Sequence, residues 1–184
     1  MKSTIILAMA FAAFSFTTVK NVDVTNSAIT WVGHKVTGQH DGSITLKEGT
    51  LKFDDKEQLT GGSFIMDMTT LTVEDLEGES KGKLEGHLKS DDFFGVDNHK
   101  TSKFVITKVE GKNGKYKVTG DLTIKGISFP NTFDMTVNDN NTATAILKVD
   151  RTKYDIKFRS TSFFDGLADK AIYDNFDLNV NLKF

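Results

Sequence analysis

From Phe176 to Phe184 the chain alternates apolar and polar residues at every step, the period-two signature of a strand with one face on a core and the other in water. Shorter stretches of the same kind recur at 64–68, 116–119, 122–125 and 133–137, which predicts an antiparallel sheet with one continuous apolar side. Strands are expected at 29–37, 44–47, 50–53, 62–68, 103–110, 115–127, 131–137, 142–149 and 174–184. The intervening turns carry suitable chemistry. Asn113-Gly114 is the step of a tight hairpin, and Asp139-Asn140-Asn141 supplies residues that tolerate left-handed backbone. Pro130 is expected at the start of a strand, where a missing amide donor does least harm.

One region breaks the period. Over 72–90 polar residues dominate and Leu84 and Leu88 stand four apart, so a short, glycine-loosened helix with one narrow apolar edge is predicted. Such a helix is too polar to form a second layer, and a sheet of this size in up-and-down order closes most economically on itself. The fold class is therefore all-β, an antiparallel barrel of about eight strands with a short helix in the 72–90 region. Its inward residues are expected to be Ile29, Trp31, Ile44, Leu46, Phe64, Met66, Met68, Phe104, Ile106, Val118, Leu122, Ile124, Phe133, Met135, Val137, Leu147, Phe176, Leu178, Val180 and Leu182. A barrel of that size is either filled by its own side chains or holds one small ligand, and alternation alone leaves the two open.

Composition narrows the setting. The 184 residues fit one domain, and 38% hydrophobic content with 15 Phe suffices for a core. Residues 1–18 read as a secretory signal: Lys2 gives the positive start, and an apolar run from Ile5 to Phe16 is broken only by Ser15. That run is too short for a bilayer, which needs about 20 residues. The cut is expected between Phe14 and Lys20, leaving a barrel domain over 19–184 with no transmembrane segment. Without cysteine there is neither a disulfide nor a thiol for lipid attachment, which suits a periplasmic protein held by its core, with secretion as the alternative. Net charge is −2 and only Arg151 and Arg159 are arginine, so nucleic acid is not an expected partner.

Few residues suggest chemistry. Phe93-Phe94 and Phe163-Phe164 are paired aromatics at strand edges, assigned to the mouth or lining of a cavity, or else to plugging the barrel end. Arg151 is read as a paired structural arginine, with contact to a ligand head group as the alternative. His34, His40, His87 and His99 form no short ligand-spaced pair, so no metal is assigned. There is no Gly-x-Ser-x-Gly turn and no cysteine nucleophile, and Asp91-Asp92 reads as helix-end solvation. No catalytic residue is assigned, and the chain is not expected to be an enzyme.

Three landmarks in order, Leu88 to Val96 followed by Phe104, Gly120 to Ile127, and Asp150 to Ile156, resemble the YceI-like family, and the likeness extends from Ser27-Ala28-Ile29-Thr30-Trp31 to the last strand. His99 and Lys100 stand where members often have tyrosine and proline, and Lys35 where a histidine often ends the first strand. The resemblance implies an extended lipocalin-like barrel, exported to the periplasm, that binds, stores or carries a long apolar ligand: a polyisoprenoid, an isoprenoid quinone or a similar amphiphile. It implies no cofactor beyond such a bound isoprenoid or fatty-chain lipid. The residues expected to meet it are Trp31, Phe64, Met66, Met68, Phe93, Phe94, Phe104, Ile106, Leu122, Ile124, Phe133, Met135, Phe163, Phe164, Phe176 and Leu178. At about 0.8 kcal/mol per buried methylene, an isoprenoid tail needs no charged anchor for affinity. Two other readings stand beside this one: a packed, non-binding barrel acting as an envelope stress or interaction protein, and, behind it, a lipid-modifying enzyme. Whether two barrels pair as a homodimer is left open.

Overall fold

The computed structural model describes residues 16–184, so the leader expected at 1–18 lies outside the described residues except for its last three. The chain forms β1 (Thr18–Asn21), β2 (Ala28–Lys35), β3 (Gly38–Phe53), β4 (Leu59–Val73), α1 (Gly78–Lys89), β5 (Thr101–Lys112), β6 (Lys115–Ile124), β7 (Ile127–Asn138), β8 (Thr142–Asp150) and β9 (Ile172–Lys183). The order β3-β2-β9-β8-β7-β6-β5-β4, with β4 pairing back onto β3, closes an antiparallel barrel of eight strands. β1 is an addition that pairs with the far half of β3, from Thr18 opposite Phe53 to Asn21 opposite Thr50.

Period-two patterning turns directly into burial. Along β8, Ala143, Ala145, Leu147 and Val149 are buried while the residues between them are not, and β6 alternates in the same way through Tyr116, Val118, Gly120, Leu122 and Ile124. Every residue expected to face inward belongs to the apolar core or packs against it.

Several boundaries differ from the sequence reading, each for a local reason. The strands expected at 44–47 and 50–53 are one, β3, because register shifts against β4 between Ser43 and Thr45 and between Leu46 and Glu48 move the inward set from Leu46 to Gly49, Leu51 and Phe53. The single strand expected at 115–127 is instead cut by a two-residue turn, Lys125-Gly126, both at positive φ, which pairs Ile124 with Ile127. Pro130 therefore sits within β7 and not at its start. It lies opposite Asp121 of β6, where β7 has no ladder to β8 on its other side. The helix begins at Gly78, since Thr72 and Val73 still belong to β4, and β1 is a strand that its exposed Thr-Val-Lys-Asn sequence did not announce.

Two seams in the wall are incomplete: β4 and β5 pair only from Ser63 opposite Val105 to Asp67 opposite Thr101, and the second lies beside the cavity. β7 and β8 share a ladder only from Met135 to Asn138; above it the strands are bridged by the Asn131 side chain, which donates to the Lys148 carbonyl at 3.0 Å, and by Phe129 edge-on to Tyr154 at 5.9 Å.

Candidate functional site

The barrel is hollow in its upper half. A cavity of about 160 Å³, measured as space open to the centre of a water molecule, runs from Leu182 and Met135 up to Leu88, Phe93 and Arg151. A cavity needs about 10–15 Å³ to hold one water, and each takes about 30 Å³ in the liquid, so this is room for several and the interior is not fully packed. Below it the barrel is solid: Leu51, Val118 and Ala143 are fully buried, with Phe53, Leu59 and Tyr116 beside them.

The wall is assembled strand by strand from alternating positions. β2 supplies Trp31, β4 supplies Phe64, Met66 and Met68, and β5 supplies Phe104 and Ile106. Further round the wall stand Leu122 and Ile124 of β6, Phe133 and Met135 of β7, and Phe176 and Leu178 of β9. Two close approaches shape this wall. A Cβ on Gly42 would meet the Thr72 carbonyl oxygen at 1.9 Å and the Trp31 ring at 2.8 Å, so the missing side chain is what lets the indole lie across β3 and donate to Thr72 O at 3.2 Å. Gly120 similarly vacates the space taken by the Phe104 ring, which stacks obliquely on Phe133 at 5.4 Å.

The top is covered by α1 and the loop after it. Glu85 on α1 accepts hydrogen bonds from the Thr72 hydroxyl at 2.7 Å and the Val73 amide at 2.9 Å, fastening the helix to the end of β4. Those two donors hold the Glu85 carboxyl below its ordinary pKa, against a smaller opposing effect of burial. The chain then folds back through Phe94 N to Leu88 O and Gly95 N to Ser90 O, with Gly95 at φ 55°, and lowers Phe93 and Phe94 onto the cavity. Phe93 packs with His87 and Phe158, and Phe94 meets Phe176 edge-on at 6.2 Å.

Arg151 closes the corner between β8 and β9. Its guanidinium donates to the carbonyls of Tyr173, Ile156 and Ile172 at 3.0, 2.8 and 3.0 Å and lies over the Phe93 ring. Burial lowers its pKa, with Asp174 and Asp150 opposing. Three of its five N–H donors go to backbone carbonyls and Asp174 Oδ1 stands 3.8 Å from Nη2, the arrangement of a paired structural arginine. Nearby Tyr154 is fully buried, and burial raises its pKa to about 12, so it stays neutral.

Fourteen of the sixteen residues expected at a ligand lie on this cavity. Phe163 and Phe164 do not: both are 50% exposed in the loop before β9, outside the barrel, so their assignment to the lining is corrected. Their pairing in sequence resembled that of Phe93-Phe94, but no strand or capping loop carries them inward. Also on the wall and absent from that expectation are apolar residues that include Leu71, Leu88, Ala145, Leu147 and Ile172, and the polar His34, Ser102, Arg151, Tyr173 and Asn175. Alternation along β8 signals Ala145 and Leu147, whereas β9 begins too early for the sequence to place Ile172 and Tyr173. Among the described residues no three His, Asp or Glu side chains gather as a metal site. No helix of the described residues is long and apolar enough to cross a membrane.

The sequence profile of the YceI-like domain matches residues 21–184. A UPF0312 protein of Staphylococcus aureus strain USA300 is 40% identical over 84 residues, a match covering 40% of this chain and 47% of that protein, and one from Photorhabdus laumondii is 29% identical over 89 residues, covering 48% and 44%. The chain thus spans about half the length of the curated relatives it matches. Among solved structures, Burkholderia cenocepacia BcnA superposes with a TM-score of 0.69 at 20% identity, over 88% of this chain and 98% of that one. A polyisoprenoid binding domain from Saccharophagus degradans, implicated in plant cell wall breakdown, gives 0.59 at 11% identity over 88% and 95%. At these identities the likeness to the two structures is one of fold. With the profile spanning the whole barrel and the capped apolar cavity inside it, the chain belongs to the YceI-like family.

Proposed function

We propose that this protein binds a long-chain apolar ligand, an isoprenoid or similar lipid amphiphile, inside the barrel, and stores or carries it in the periplasm after export. The observation that carries the reading is the continuous apolar cavity between the packed floor and the Phe93-Phe94 lid. An empty apolar space of this size costs stability that a guest restores, and each methylene brought in from water contributes about 0.8 kcal/mol before ordering costs. Met66, Met68 and Met135 give the wall unbranched side chains that adjust to an irregular chain. Support also comes from the fold shared with a domain described as polyisoprenoid binding.

The test is to purify the protein from its native envelope, extract it and identify bound lipid by mass spectrometry, then titrate isoprenoids of increasing length. Recovery of a prenyl or acyl lipid at near one per chain is expected. Repeatedly empty protein that also refuses prenyl and quinone analogues would sink the proposal.

A further inference from the structure

The cavity wall is almost wholly apolar, and above Trp31, beyond the residues that line it, three polar side chains stand on the same face of the strands. Ile29 and Trp31 of β2 point inward and are nearly buried, so Gly33 and Lys35 fall on the same face. The β2–β3 register is unbroken, and it sets His40 opposite Gly33. β4 ends with Val73 opposite Gly42, and Asp75 continues that face two residues on. The three side chains meet there. Lys35 Nζ is 3.1 Å from His40 Nε2, His40 Nδ1 is 2.7 Å from Asp75 Oδ2, and Asp75 Oδ1 accepts the Asp41 amide at 3.2 Å.

Lys35 Nζ can only donate, so His40 Nε2 accepts from it and His40 Nδ1 donates to Asp75 Oδ2. Burial acts to raise the Asp75 carboxyl, but the bonds from His40 and the Asp41 amide leave it below its ordinary value, a fixed negative end to the relay. The imidazole stands between that carboxylate and the ammonium, so a group arriving at Lys35 meets the cation first. Lys35 keeps two N–H donors beyond the bond to His40. Its partner across the β2–β9 ladder is Ile172, which lines the cavity, and beside it Gly33 offers no side chain to screen the opening. Tyr173, 54% exposed and also on the cavity, marks the same place as the mouth. The other cation there, Arg151, is buried, bound to three carbonyls and already 3.8 Å from the Asp174 carboxylate.

We propose that Lys35, held in position by His40 and Asp75, receives the anionic head group, carboxylate or phosphate, of a ligand whose tail fills the cavity. This rests on the ligand-binding reading above. It gives the guest a polarity, with its head at the β2–β3 rim and its tail toward Met135 and Leu182.

Three probes with one twenty-carbon tail test it: geranylgeraniol, geranylgeranoic acid and geranylgeranyl phosphate. Trp31, the single tryptophan, lines the cavity and reports occupancy by fluorescence. In the wild type the acid, the phosphate or both are expected to bind about tenfold tighter than the alcohol, consistent with a charge-assisted contact. Which of the two gains more identifies the head group. Lys35→Met is expected to abolish that preference while leaving the alcohol within about twofold, and His40→Leu to reduce it. An alcohol that binds the wild type as tightly as both anions, or a Lys35→Met loss equal for all three, overturns this inference and leaves the cavity reading standing. Binding by none of the three overturns the cavity reading and this inference with it.

Discussion

Gly42 shows how much one position without a side chain can decide. The Trp31 indole crosses the strand only because nothing grows from Gly42, and the obstructing atom for a Cβ is a backbone oxygen 1.9 Å away, which cannot swing aside. Gly42→Ala is therefore expected to destabilise the barrel by about 3 kcal/mol, the upper end for overpacking, read as a lowered midpoint in urea unfolding with unchanged slope. The same scale explains a limit of sequence reading. Glycine in a strand is visible as a weak position, but whether the vacated space is refilled, as by Phe104 at Gly120, or left open, as at Gly33, depends on a neighbour across the sheet.

At the scale of elements, the strands announced themselves because each buries one face, and a period of two survives in any window where register is intact. Where it is not intact the pattern fails. The shifts along β3 made one sixteen-residue strand read as two, and Lys125, at φ 52° in a tight turn, carries none of the usual turn chemistry. The helix was visible from Leu84 and Leu88, yet its role as a lid was not, because that follows from Glu85 reaching β4. This contact has a testable pH dependence. A carboxyl held below its ordinary pKa stabilises the fold above the unfolded value, about 4.3, and the contribution is lost as the pH falls through the lowered folded value. Glu85→Gln is expected to cost about 1 kcal/mol at pH 7 and to flatten the stability profile between pH 5 and 3, measured by denaturant titration at each pH.

At the scale of the whole molecule, the apolar side foreseen from alternation is a closed wall, but its hollowness lay beyond the pattern. Twelve of the candidate residues follow from facing and Phe93 and Phe94 from their pairing, whereas the void depends on how far side chains from opposite strands reach, and the mouth on loops that bring Phe94 and Tyr173 together. Ala145, buried on the cavity wall, offers a way to close it. Ala145→Phe is expected to raise stability by roughly 1 kcal/mol by filling space and to weaken isoprenoid binding at least tenfold, read by thermal unfolding beside a fluorescence titration.

The short ladder between β7 and β8 gives the barrel an adjustable girth. Beside the cavity most of the circumference is set by main-chain spacing, but above Met135 it is set by one amide side chain and an aromatic contact, which can re-form at another width without tearing a backbone ladder. Amides in 129–133 are expected to exchange with deuterium faster than those of β6 beside them in the empty protein, and to slow when a guest is bound. A container with a slack stave can grip chains of differing thickness, and breadth of cargo would then be written into its wall.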